Sequence, residues 1–152
     1  MVDKTLLFIP GVPASKGSYR ILHSKSGGGF LIPADKREKA WRQQIVEYVK
    51  KTGTRPYPPQ TPVNVTLTFH LPRPKTVHRT YPSVKPDLDK LIRCVLDAIT
   101  DSGLWADDGC VVELNARKIY DTNIGVDILI SKPEERKNEH EIQTSKTQHE
   151  TR

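Results

Sequence analysis

The sequence predicts an α/β (α+β) domain: a small mixed sheet of about five strands with two main helices packed on it. Three observations carry that expectation. Residues Val63 to Leu71 alternate strictly, with Val63, Val65, Leu67, Phe69 and Leu71 on one side and Asn64, Thr66, Thr68 and His70 on the other. That is the period of a strand with one buried face. From Asp87 to about Ser102, Leu88, Leu91, Ile92, Val95 and Ile99 recur at helical spacing and fill an arc of about 100°. Strand-like stretches precede and follow these two elements, separated by Pro- and Gly-rich turns.

Taken in order, Thr5 to Ile9 reads as a short buried strand ended by Pro10-Gly11. Tyr19 to His23 and Gly29 to Ile32 read as the arms of a hairpin around Ser24-Lys25-Ser26-Gly27-Gly28. A helix is expected from Asp35, as cap, to about Lys51, with Glu38 three residues on in a capping-box arrangement. Its apolar stripe is Trp41, Ile45, Tyr48 and Val49. Four prolines make residues 52–62 a loop, and Val63 to Leu71 follows as a strand. A second proline-rich, basic loop leads to the helix from Asp87, which ends at Gly103. Trp105 to Gly109 reads as a turn. Cys110 to Tyr120 and Ile124 to Lys132 read as two strands of a hairpin joined at Asp121-Thr122-Asn123.

With 152 residues, one domain is expected, over residues 1–132. Residues 133–152 are polar, charged and without periodicity, the composition of a disordered tail. No run approaches the length of a membrane span, and the apolar run Leu6 to Ile9 is too short for a signal peptide. A cytoplasmic protein is expected. Cys94 and Cys110 show no CxxC spacing and no His pair nearby, so they read as reduced thiols rather than zinc ligands. The net charge is +6. Residues 16–55 hold ten Lys or Arg against three Asp or Glu, and residues 70–86 hold Arg73, Lys75, Arg79 and Lys85 with no acid. Such clustering points to a polyanionic partner, most simply nucleic acid.

The segment 85–108, KPDLDKLIRCVLDAITDSGLWADD, is where chemistry would reside. Asp87 and Asp89 stand at the start of a helix, and Asp107 and Asp108 after its end. Carboxylates that stay ionised beside one another call for a cation, and hard oxygen donors suit Mg²⁺ or Mn²⁺. Such an ion polarises a phosphodiester and acidifies water. Arg93, one turn past Asp89, and Lys90 are the local cations that could neutralise developing charge. Plainer roles stand beside these. Asp87 can be an N-cap and Asp89 a favourable first-turn charge. Asp107-Asp108-Gly109 can be a turn, and Arg93 a surface partner of Asp89 or Asp97. The cations of the first helix can be a solvated face. The five histidines show no metal-binding spacing.

Lys85-Pro86-Asp87-Leu88-Asp89-Lys90-Leu91, Val95-Leu96-Asp97-Ala98, Gly103-Leu104-Trp105-Ala106-Asp107-Asp108 and Val111-Val112-Glu113-Leu114 together resemble the RusA family of Holliday-junction resolvases, often carried by phages and prophages. Ile9-Pro10-Gly11-Val12-Pro13, Lys16-Gly17 and Arg20 are similar to that family's N-terminal basic loop, and the likeness covers about residues 5–130. It implies a homodimer that cleaves four-way DNA junctions with Mg²⁺ or Mn²⁺, without a nucleotide cofactor. It implies that Asp87, Asp89 and Asp108 hold the metal, with Asp107 in support. Where members carry a lysine four positions after the second aspartate, this chain has Arg93, which keeps the charge but cannot act as a general acid. Electrostatic stabilisation by Arg93 serves instead, or Lys90 takes the role. Gly109-Cys110 replaces the polar pair common after the second acidic doublet. A twofold dimer matches the need for two equivalent nicks. Lys16, Arg20, Arg73, Lys75, Arg79 and Lys85 are the expected phosphate contacts. A catalytically silent branched-DNA-binding module is the alternative, and an RNA-directed nuclease a third reading.

Overall fold

A computed structural model describes residues 4–17, 19–33 and 36–135, the hairpin segments 19–22 and 31–33 as backbone. The strands are β1 (Lys4–Pro10), β2 (Tyr19–His23), β3 (Gly29–Pro33), β4 (Val63–Leu71), β5 (Val111–Tyr120) and β6 (Gly125–Ser131). The helices are α1 (Glu38–Lys51) and α2 (Leu88–Ser102). Four strands form one mixed sheet in the order β1-β6-β4-β5, and β2 and β3 form a separate hairpin. The expected α+β class therefore holds, with the strands divided between a sheet of four and a hairpin of two.

The alternation in β4 does what its period requires. Val63, Val65, Leu67, Phe69 and Leu71 are buried, while Asn64, Thr66 and His70 are not. β4 pairs antiparallel with β6 on one side and parallel with β5 on the other. Its inner residues meet Leu7 and Ile9 of β1, Val126, Ile128 and Ile130 of β6, and both helices in one core. The helices thus cover a single face of the sheet.

α2 turns Leu91, Cys94, Val95, Ala98 and Ile99 inward, with Leu88 and Ile92 partly buried at the margin. The expected stripe is thus shifted by the small residues Cys94 and Ala98, and Cys94 lies near Glu38 and Arg42 of α1. Burial pushes the Cys94 thiol up to about 12, so it stays protonated. Gly103 closes α2 at φ 78°, the left-handed conformation that glycine adopts without a Cβ penalty.

Three expectations are corrected. β5 and β6 are not a hairpin: β4 lies between them, and Asp121 bonds through its N–H to Leu71 O at the end of β4. The short connection spans a gap of two strand spacings because β6 finds better burial between β1 and β4 than beside the exposed β5. α1 begins at Glu38, with Arg37 as its N-cap and no side-chain cap bond. Glu38 instead accepts from the Gly17 N–H at 2.9 Å, tying α1 to the β1–β2 connection. Asp35, the expected cap, lies outside the described residues. On α1, Val46 is buried and Tyr48 is exposed, because the face toward α2 follows Trp41, Ile45, Val46 and Val49. Of the expected tail, residues 136–152 also lie outside the described residues.

Gly125 lies where β6 passes closest to β1. A Cβ there would stand 2.4 Å from Ile9 O and 2.6 Å from the Phe8 ring. Backbone cannot yield as a flexible side chain can, so Gly125→Ala should destabilise the fold by about 1–3 kcal/mol. The check is urea unfolding: the midpoint should fall with an unchanged m-value. An unaltered midpoint would mean that β1 and β6 part at no cost.

Candidate functional site

The parallel pairing of β4 and β5 places both of their carboxyl ends at one edge of the sheet, and the 72–86 loop and the start of α2 gather there. Open sheets that carry parallel strands commonly use this end for ligands. Asp87 is the N-cap of α2 in an extended conformation, and its carboxylate makes no cap bond. It pairs with Lys90 Nζ at 3.1 Å. That hydrogen bond and charge, with the charges of Lys85 and Lys118, hold the Asp87 carboxyl below the usual carboxylate range. Asp89 is exposed in the first turn, and Arg93, one turn on, is exposed as well. Arg93 makes no ion pair with Asp89 or Asp97 among the described residues.

Asp107 and Asp108 occupy a different place. Asp107 Oδ1 accepts from the Gly109 N–H at 2.7 Å and caps a short 3-10 turn, Asp108–Cys110, that leads into β5. Asp107 therefore has the plain turn role. Asp108 is exposed, yet local desolvation, a hydrogen bond shared with Asp107, and the charges of Asp107 and Asp97 push its carboxyl up. Asp97 is held by Lys16. It lies eight residues past Asp89, about 12 Å along the helix.

β5 measures the separation of the two acidic pairs. Lys118 near its end reaches the carbonyls of Val84 and Pro86, just before Asp87. Val111, where the strand begins just after Asp108, lies seven positions earlier, roughly 23 Å of strand. Among the described residues no group of three or more Asp, Glu, His or Cys could hold a metal ion. The donors are hard oxygens of the kind Mg²⁺ takes, yet within one chain Asp87, Asp89 and Asp108 do not form one ligand set.

The expected DNA contacts also divide. Lys16 is partly buried, its ammonium on Asp97 and its N–H on Lys90 O at 3.0 Å, so it braces the β1–β2 connection against α2. The Arg20 side chain lies outside the described residues. Arg73, Lys75, Arg79 and Lys85 are all exposed on the 72–86 loop. Arg73 lies over the Tyr120 ring, 5.1 Å from its centroid, and Arg79 Nε donates to the Tyr120 hydroxyl at 3.1 Å. Tyr120 and Lys118 were not legible as part of this site. The one signal for Lys118 was parity: it pairs with Phe69, so a lysine stands on the core-facing row of its strand.

A mixed sheet with helices on one face, and an acidic pair beside a cationic loop, define a protein that would meet a polyanion at one edge of its fold. The RusA endodeoxyribonuclease family model matches residues 10–131, four-fifths of the chain. The chain belongs to the RusA family. Membership makes it a hydrolase of the endonuclease class, from a family that acts on branched DNA junctions. A search of curated proteins finds no match. No described helix is long and apolar enough to cross a membrane.

Asp108 is raised by local desolvation and by its acidic neighbours, so its ionised form weakens the fold. A carboxyl with its folded value above the unfolded one costs stability once pH passes the unfolded value. Asp108→Asn should therefore raise Tm at pH 7, by about 1–2 °C for an exposed site in a domain of this size. The gain should vanish below about pH 4, where the carboxyl is neutral in both states. A Tm below that of the parent at pH 7 would contradict this account.

Proposed function

We propose that the chain is a Mg²⁺-dependent, structure-selective endodeoxyribonuclease, with Mn²⁺ able to substitute. As a homodimer it would resolve Holliday junctions by paired phosphodiester hydrolysis, in recombination and repair and in a cytoplasmic setting. The observation that carries this reading is the half-buried Asp87 and exposed Asp89 at the head of α2, flanked by the cations of the 72–86 loop in a chain of this family.

A divalent cation would supply polarisation of the scissile phosphate and a more acidic water. Asp87, Asp89 and Asp108 are the carboxylates proposed to hold it. One chain presents them as two separated groups, so their joint use calls for a second copy of the chain. The same twofold pairing would give the two equivalent sites that symmetric nicking requires. Lys90, bound to Asp87, keeps that carboxylate ionised. Arg93 stays charged at every working pH and can stabilise charge on the phosphate, but it cannot deliver a proton. Arg73, Lys75, Arg79 and Lys85 are proposed to meet backbone phosphates, reading the shape of the junction rather than its sequence.

A second reading is a branched-DNA-binding module without activity. It is favoured by Arg93 in place of a lysine and by the separation of the aspartates within one chain. Labelled four-way junction and matched duplex, each with and without Mg²⁺, separate the two. On the first reading, the parent nicks the junction symmetrically only with metal, and Asp89→Asn loses activity on the order of 10³-fold while binding persists. Gel-shift binding with no nicking in either Mg²⁺ or Mn²⁺ would establish the second. Full cleavage by Asp89→Asn would remove that aspartate from the mechanism.

The loop cations make a separate, quantitative prediction. Replacing Lys75 or Lys85 by Ala should lower the log–log salt slope of junction binding by about 0.9 each. Fluorescence anisotropy across a salt series checks it, and an unchanged slope would remove that residue from the contacts.

A further inference from the structure

The 72–86 loop carries the cations and delivers the chain to Asp87, and Pro82 is its one buried residue. Tyr81 is 69% exposed and Val84 47%. Its polar anchors come from two residues of one strand. At its beginning and middle, Arg73 and Arg79 converge on Tyr120. At its end, Lys118 Nζ donates to Val84 O at 2.6 Å and to Pro86 O at 2.8 Å. Lys118 and Tyr120 lie two apart on β5, so both project from the face that α2 covers.

Lys118 stands at a position whose parity suits an apolar side chain. Its partner Phe69 is fully buried. Its methylene stem can pack there while the ammonium reaches the loop. Two of its three N–H groups are committed to two carbonyls within one turn of Asp87. Bonds from a charged donor are about twice as strong as neutral ones. The Lys118 charge is also one of three ammonium charges that favour an ionised Asp87.

We infer that Lys118 is a positioning residue: by tethering the Val84 and Pro86 carbonyls to β5, it fixes the direction in which the Asp87 carboxylate leaves the head of α2. The inference rests on the nuclease reading, in which that direction governs catalysis. Lys118 itself needs no contact with the DNA. A displacement of about 1 Å in a reacting group can cost on the order of 10²-fold in rate, so losing the tether should be felt in turnover rather than in binding.

The test uses the full chain with Lys118→Met, which keeps the stem and removes the donors, and Lys118→Arg, which keeps charge and donors. Hydrogen exchange of the peptide spanning 72–90, junction affinity, and single-turnover cleavage at saturating protein are read for each. In Lys118→Met, amides from Val84 to Leu88 should exchange about 10-fold faster while those of β4 are unchanged. Its cleavage rate should fall roughly 30-fold with affinity within about 3-fold of the parent, and Lys118→Arg should recover most of the rate. Unchanged exchange at 84–88, a loss confined to affinity, or an arginine variant no better than methionine would overturn the inference. If Lys118→Met does not fold, Lys118→Gln is read in its place by the same criteria. If the parent cleaves no junction, the nuclease reading fails. The exchange measurement then decides the tether by itself.

Discussion

Two strands that run side by side in the same direction cannot be joined by a tight turn, and in this chain β4 and β5 are such a pair. The crossover that joins them must leave one end of the sheet, traverse its face and return to the other end. α2 makes that traverse, with Leu91, Cys94, Val95, Ala98 and Ile99 turned into the core. The positions of Asp87, Asp89, Asp107 and Asp108 follow. A carboxylate at the head of α2 stands near the carboxyl end of β4. A carboxylate after α2 stands at the opposite end, where β5 begins.

The same constraint explains why the two acidic groups differ electrostatically. Asp87 and Asp89 lie at a helix N-terminus, where unpaired backbone N–H groups favour negative charge. Cations from Lys85, Lys90 and Lys118 add to this for Asp87. Asp108 lies beside Asp107 and within reach of Asp97, partly desolvated, and its ionisation is disfavoured. Asp87 suits a permanently charged role. Asp108 is a residue whose charge its acidic neighbours disfavour.

Local anchors are made of long side chains that reach across the fold. Lys16 braces the β1–β2 connection on Asp97, and Arg42 of α1 holds Asp101 of α2 at 2.5 Å. His70 at the end of β4 stands between Asp121 and Asp127, at 2.8 and 2.6 Å. Such pairs contribute modestly to stability when exposed. Their larger effect here is to tie the β1–β2 connection to α2, α1 to α2, and the end of β4 to the start of the β5–β6 connection.

Periodicity made β4 and α2 legible, because a strand buried on one face and a helix buried on one stripe each write their burial into the spacing of apolar residues. Pro10-Gly11, the prolines of 52–62 and Gly103 marked the boundaries for equally local reasons. The acidic pairs, and the likeness of their surroundings to a nuclease family, were likewise readable from residue types in a row. Strand order was not, since a four-residue connection between β5 and β6 looks the same whether they pair with each other or β4 intervenes. Nor were the separation of Asp87 from Asp108, the burial of Val46 in place of Tyr48, or the reach of Lys118 to Pro86. Each depends on which surfaces meet after the chain has closed on itself. That is decided by competition among residues far apart in sequence, and local spacing does not record it.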